Sequence, residues 1–262
     1  MDLELSGKHA LVCGGSQGIG LAAAIELARF GANVTLLART PAKLASALAQ
    51  LPKVQAAQRH DSIAVDTGDL EALRAQVGAL VQQRPVQVLV NNSGGPPPGA
   101  LASATVEGFL DAYRRHLLAN HILAETVLPG MKAAHYGRIV NVISTSVKQP
   151  IPGLGVSNTT RGAVASWAKT LAAEVAPFGI TVNNVLPGST HTPRIEEIID
   201  TRVKATGKTR DDIYAAMTHE IPMARFAEAA EVGNAIAFLA SPAASYITGI
   251  NVPVDGGRTS SL

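Results

Sequence analysis

The chain has 262 residues, 47% of them apolar and 16% charged, with 24 glycines and a formal net charge of +2. That composition supplies a substantial core without a metal or disulfide staple, and the single cysteine, Cys13, excludes an internal disulfide framework and fits a reducing compartment. No stretch dense in lysine and arginine suggests a surface that tracks nucleic acid, and no apolar run is long enough to span a bilayer.

The N-terminal segment MDLELSGKHALV carries acidic residues where a secretory signal carries basic ones, so a cytoplasmic location is expected. Short β-branched runs then alternate with longer segments of helical period. The pattern predicts a strand over 8–13, a helix over 18–30 closed by Gly31, a strand over 33–38 and a helix over 41–51 with Pro41 in its first turn. Strands follow at 62–66, 86–90, 138–143 and 180–186, with helices between them at 69–83, 105–134 and 157–177. A helix over 229–240 and a strand over 250–254 end the series. Such alternation implies parallel strands, right-handed crossovers and helices on both faces: a single-domain α/β fold, a doubly wound parallel sheet in three layers. The irregular, charged stretch 188–220 is expected to be a solvated helical excursion or a mobile flap over a site.

Between the first strand and the first helix stand Gly14, Gly15, Ser16, Gln17, Gly18, Ile19 and Gly20. Glycines there permit a tight turn and a close backbone approach to a diphosphate, and the helix N-terminus offers unpaired N–H groups. The segment resembles the TGxxxGIG signature of the short-chain dehydrogenase/reductase family, with Cys13 in place of the family's Thr. Other segments are similar in the same order: Asn91-Asn92-Ser93-Gly94 to the family's NNAG, and Gly137 through Ser144 to the strand ending in its catalytic Ser. Asn184 through Gly188, followed by Thr192, resembles its PG loop. Ile221 through Phe226 and Val254 through Gly257 resemble its C-terminal landmarks. The resemblance implies a Rossmann-like oxidoreductase in which Asp66 and Thr67 edge the adenine pocket and Asn92 lies along the cofactor. It also implies that Pro187, Gly188 and Thr192 flank the nicotinamide, and that the chain forms a homotetramer through its two longest helices and its C-terminal strand region.

The second strand ends in Ala38-Arg39. An acid there would accept hydrogen bonds from the ribose 2′-OH of NAD(H); a guanidinium instead binds a 2′-phosphate, so NADP(H) is the expected cofactor.

The family's carbonyl chemistry uses Asn, Ser, Tyr and Lys, the last two spaced YxxxK. Counted from Ser144, the Tyr position falls on Ser157 and the Lys position on Arg161. Counted back from Leu128 through Met131, the Asn position falls on His116, with Asn120 one turn further along the same face. A serine hydroxyl is a poor proton source and an arginine does not relay protons, although Arg161 can bind the nicotinamide ribose or stabilise an oxyanion. His116 is the first candidate for the missing proton donor, ahead of Lys148, His191 and ordered water. Two functions remain open. One is a reductase of a small ketone, aldehyde or β-ketoacyl substrate with a non-standard proton donor. The other is a catalytically inactive NADP(H)-binding sensor or scaffold. The prolines Pro96, Pro97 and Pro98 make the loop beside the expected substrate cleft stiff.

Overall fold

Strands that are apolar at nearly every position have no face to give to water, and here they form the middle of one sheet. In the computed structural model, which describes residues 1–261, the strands are β1 (His9–Cys13), β2 (Asn33–Ala38), β3 (His60–Ala64), β4 (Val88–Asn91), β5 (Gly137–Val142), β6 (Ile180–Pro187) and β7 (Asn251–Val254). They pair in parallel in the order β3-β2-β1-β4-β5-β6-β7. Only β3, at the edge, leaves much of itself exposed, and its polar His60, Asp61 and Ser62 suit an unpaired side.

The helices are α1 (Gly18–Arg29), α2 (Pro41–Leu48), α3 (Leu70–Gln83), α4 (Val106–Tyr113), α5 (Ala119–Ala133), α6 (Gly155–Val175), α7 (Pro193–Thr206), α8 (Arg210–His219) and α9 (Ala229–Ala240). Successive strand residues point to opposite faces. Val12, Leu36 and Val140 therefore pack under α1, α2 and α9, while Leu11, Leu37 and Ile139 pack under α3, α5 and α6. This is the expected three-layer doubly wound architecture. Among the described residues no helix is long and apolar enough to cross a membrane.

The structure corrects several boundaries. The third strand lies at His60–Ala64 rather than 62–66, and β4 begins at Val88 rather than 86. Asp69 caps α3 instead of starting it, its carboxylate accepting from the Ala72 N–H. The long helix expected over 105–134 is divided: α4 and α5 are joined by a π turn over Arg114–Leu118, which carries His116. A widened turn of this kind leaves no mark in residue type or period, and such turns cluster at functional sites. The stretch 188–220 is better ordered than its composition suggests. α7 and α8 enclose an apolar cluster of Ile195, Ile199, Ile213, Met217, Ile221 and Phe226. A Thr209–Asp212 capping box starts α8, and Arg210 bridges to Glu196 and Asp200.

Below the C-terminal edge of the sheet an amide ladder crosses four strands. Asn91 donates to Asn141 at 2.8 Å, Asn141 to Asn184 at 2.9 Å, and Asn184 to Asn251 at 2.8 Å. Each pair sits directly opposite in the strand register, so a one-residue slip breaks the ladder as well as the core pattern. The ladder fixes the strand ends from which the cleft residues leave.

Candidate active site

The strand order reverses between β1 and β4, where crossovers depart to opposite faces and leave a crevice at the C-terminal strand ends. A cleft of about 590 Å³ opens there. At its floor Gly14 and Gly18 hold φ of +59° and +57°, a region costly for other residues. A side chain on Gly20 would meet the Gly14 carbonyl at 2.2 Å, and one on Gly14 would meet the Asn92 amide at 2.6 Å. α1 then starts at Gly18, and its N-cap Gln17 gives no side-chain cap. Its first N–H groups are left for an anion at the positive end of the helix dipole. The cradle fits the diphosphate of a dinucleotide.

Gly14, Ser16, Gln17, Gly18 and Ile19 line the cleft, whereas Gly20 works behind it as a packing glycine. Asn92 lines it too, and its amide reaches the Cys13 and Gly14 carbonyls at 3.4 Å, tying the glycine turn to β4. Arg39 stands exposed at the end of β2. Beside it is a cation the sequence reading missed: Lys43, in the first turn of α2, whose Nζ donates to the Gln17 side chain at 3.1 Å. A second basic residue four positions after Arg39 was the signal.

Asp66 and Thr67 lie on the same wall. The Asp66 carboxylate accepts from the Gly68 N–H at 2.9 Å and from Arg115 Nη1 at 2.8 Å, and Arg115 also pairs with Asp111. A side chain at Gly68 would meet that guanidinium at 2.7 Å. Nothing near Asp66 in the sequence announces Arg115, because the π turn brings it there.

At the other end of the cleft lie His116, Ser144, Ser157, Arg161, Pro187 and Gly188, while Thr192 reaches back to the glycine turn, where a side chain on Gly18 would meet its methyl at 3.2 Å. Ser144 Oγ accepts from the Ser146 N–H at 3.1 Å, and the Ser157 hydroxyl has no hydrogen-bond partner among the described residues. Arg161 is only 8% exposed and donates Nη1 to the Val142 carbonyl at 2.9 Å. Burial, and then the charge of Arg194, lowers Arg161 to about 10, which leaves it charged at neutral pH. His116 shares a hydrogen bond of 2.7 Å between its Nδ1 and Ser93 Oγ. Burial, reinforced by Arg161 and Arg115, pushes its imidazole down to about 2. His116 is thus in the cleft but neutral, and an uncharged imidazole is no acid near pH 7. Ser93, where the resembling motif has Ala, was visible in the sequence as a polar substitution.

The remaining candidates lie elsewhere. His191 packs on Tyr214 and Phe226, with ring centroids 6.3 and 5.3 Å away, and does not line the cleft. Lys148 and Asn120 do not line it either: Asn120 is buried on α5, and Lys148 follows a short turn after Ser144. Each stood near a motif along the chain without facing it in space.

Two buried histidines make stability fall in acid. His116 at about 2 and His9 at about 4 both lie below the ordinary 6.5, with burial the larger cause in each. The unfolded chain therefore takes up the protons. Their contribution is complete above pH 6.5 and is lost as pH falls toward the folded values. Each costs about 1.4 kcal/mol per pH unit, or about 4 kcal/mol together at pH 5. Urea denaturation at pH 7 and pH 5 measures this, and His116→Asn should halve the difference. An undiminished difference in that variant contradicts the assignment.

Comparison with known proteins agrees with this fold. The family profile described as Enoyl-(Acyl carrier protein) reductase matches residues 14–259. The L-xylulose reductase of Bos taurus is 34% identical over 98% of this chain and 98% of its own. The 3-oxoacyl-(acyl-carrier-protein) reductase of Pseudomonas aeruginosa is 32% identical over 97% of this chain and 98% of its own. The L-sorbose reductase of Gluconobacter frateurii, solved with NADPH and L-sorbose, superposes with a TM-score of 0.93 at 32% identity, covering 100% of both chains. On its residues, its fold and these relatives, the chain belongs to the short-chain dehydrogenase/reductase family.

Proposed function

We propose that the protein is an NADP(H)-dependent reductase of a ketone, aldehyde or β-ketoacyl carbonyl that works without a tyrosine proton donor. The observation that carries the reading is one continuous cleft. It holds the glycine cradle, the Arg39–Lys43 basic edge and, at its far end, two serine hydroxyls with a buried arginine. The NADPH seen in the L-sorbose reductase supports the cofactor. When bound, NADPH would supply the hydride for the carbonyl carbon, and one proton taken up by the carbonyl oxygen would complete the alcohol.

The chain's residues divide the remaining work. The cradle and the start of α1 hold the diphosphate, Arg39 and Lys43 the 2′-phosphate, and Asp66 and Thr67 the adenine edge. Asn92, Pro187, Gly188 and Thr192 orient the nicotinamide end. Ser144 and Ser157 donate hydrogen bonds to the carbonyl oxygen, and Arg161 stabilises the negative charge that develops there. They occupy the places of the family's Ser, Tyr and Lys. His116, being neutral, holds Ser93 and shapes the wall. The proton comes from water admitted to the cleft, because neither serine nor neutral imidazole is acidic enough. α7 and α8 act as the flap over the substrate. Exposed Val106, Leu110 and Leu118 along α4 and the π turn support a homo-oligomer.

Removing the Ser144 hydroxyl tests the reading. Ser144→Ala should lower kcat about 100-fold or more, by analogy with lost oxyanion donors, with the Kd for NADPH nearly unchanged. Absence of carbonyl turnover in both forms, with NADPH binding intact, favours a sensor or scaffold instead.

A further inference from the structure

The substrate end of the cleft holds two arginines: Arg161, buried and in no ion pair among the described residues, and Arg194, half-exposed. Arg161 spends one donor on the Val142 carbonyl, and its other N–H groups have no partner among the described residues. Arg194, in the first turn of α7, lines the same cleft. It donates Nη2 to the Pro96 carbonyl at 3.0 Å, joining α7 to the proline loop across the cleft. Its Nη1 meets the Glu197 carboxylate at 3.2 Å, outside the lining. The acids that line the cleft, Asp66 and Asp111, are both engaged by Arg115. A buried cation without a counter-charge is costly, and an anionic ligand group removes most of that cost.

We propose that the substrate is an oxo acid whose carboxylate is received by Arg194 together with the free donors of Arg161, with its carbonyl at Ser144 and Ser157. The proposal rests on the carbonyl-reductase reading and names the substrate class for it. A planar guanidinium matches a carboxylate with two parallel bonds, which an ester cannot accept with the same strength. Such charge-assisted bonds correspond to a discrimination of about 10- to 100-fold.

The test uses matched pairs: 3-oxobutanoate and 4-oxopentanoate against their methyl esters. Steady-state kcat/KM is measured with NADPH, and binding to the NADP+-loaded protein is measured by calorimetry. The acids should exceed their esters by about 10- to 100-fold in both readouts. Arg194→Gln should erase the preference while leaving the Kd for NADPH unchanged, and Arg194→Lys should restore part of it. The proposal is overturned if esters match or exceed the acids, or if neutral ketones are reduced while neither acid binds. It is also overturned if Arg194→Gln weakens NADPH binding at a constant acid-to-ester ratio, which gives Arg194 to the dinucleotide diphosphate. Failure to bind NADPH, with no carbonyl turned over, defeats the reductase reading itself.

Discussion

Arg39→Asp should weaken NADPH binding about 100-fold or more and leave NADH the preferred nucleotide. The guanidinium at the end of β2 is replaced by a carboxylate. The 2′-phosphate then loses charge-assisted hydrogen bonds worth about 1.5–3 kcal/mol and meets a like charge. The same carboxylate can accept from the ribose 2′-OH of NADH, as the acid after the second strand does in NAD-binding folds. Lys43 stays in place and limits the loss, so Arg39→Asp combined with Lys43→Ala should go further. Nucleotide fluorescence titration of both variants measures the effect. An unchanged preference would mean that Arg39 is an ordinary surface residue that does not bind the 2′-phosphate.

A second large effect is expected from Ser157→Tyr combined with Arg161→Lys. Ser157 and Arg161 are one turn apart on α6 and both line the cleft. A tyrosine phenol has an ordinary pKa near 10, and a neighbouring ammonium lowers it into the working range of a general acid. Positioned proton transfer contributes about 100- to 10,000-fold, so kcat on a neutral ketone should rise by about 100-fold or more. A new pH-dependent inflection should appear, and NADPH affinity should move little. Loss of the carboxylate preference in this variant would be consistent with the role proposed for Arg161. No gain in kcat would argue that these positions do not correspond to the family's Tyr and Lys.

Strand and helix order was legible because the apolar runs and the 3.6-residue pattern are local properties, and the glycine turn was legible because a tight φ and a close approach demand glycine. That Arg39 lines the cleft followed from its place after the second strand. Less local features were hidden. The π turn over Arg114–Leu118 reads as ordinary helix, yet it sets both His116 against Ser93 and Arg115 against Asp66. The neutrality of His116 comes from burial among residues distant in the chain, which residue type does not reveal. His191 and Lys148 show the converse: a titratable residue beside a motif in sequence can point into a neighbouring aromatic cluster or away from the cleft. Arg194 lay within the charged 188–220 stretch, and only the contact with Pro96 brings it to the substrate end.

The most direct measurement is a fluorescence titration of the unmodified protein with NADPH and then NADH, followed in the same sample by ketones, aldehydes, oxo acids and β-ketoacyl thioesters. NADPH should bind about 100-fold more tightly than NADH and then be oxidised by at least one carbonyl class. Preference for NADH, or tight NADPH binding with no oxidation by any of these carbonyls, would contradict the NADP(H)-dependent reductase reading.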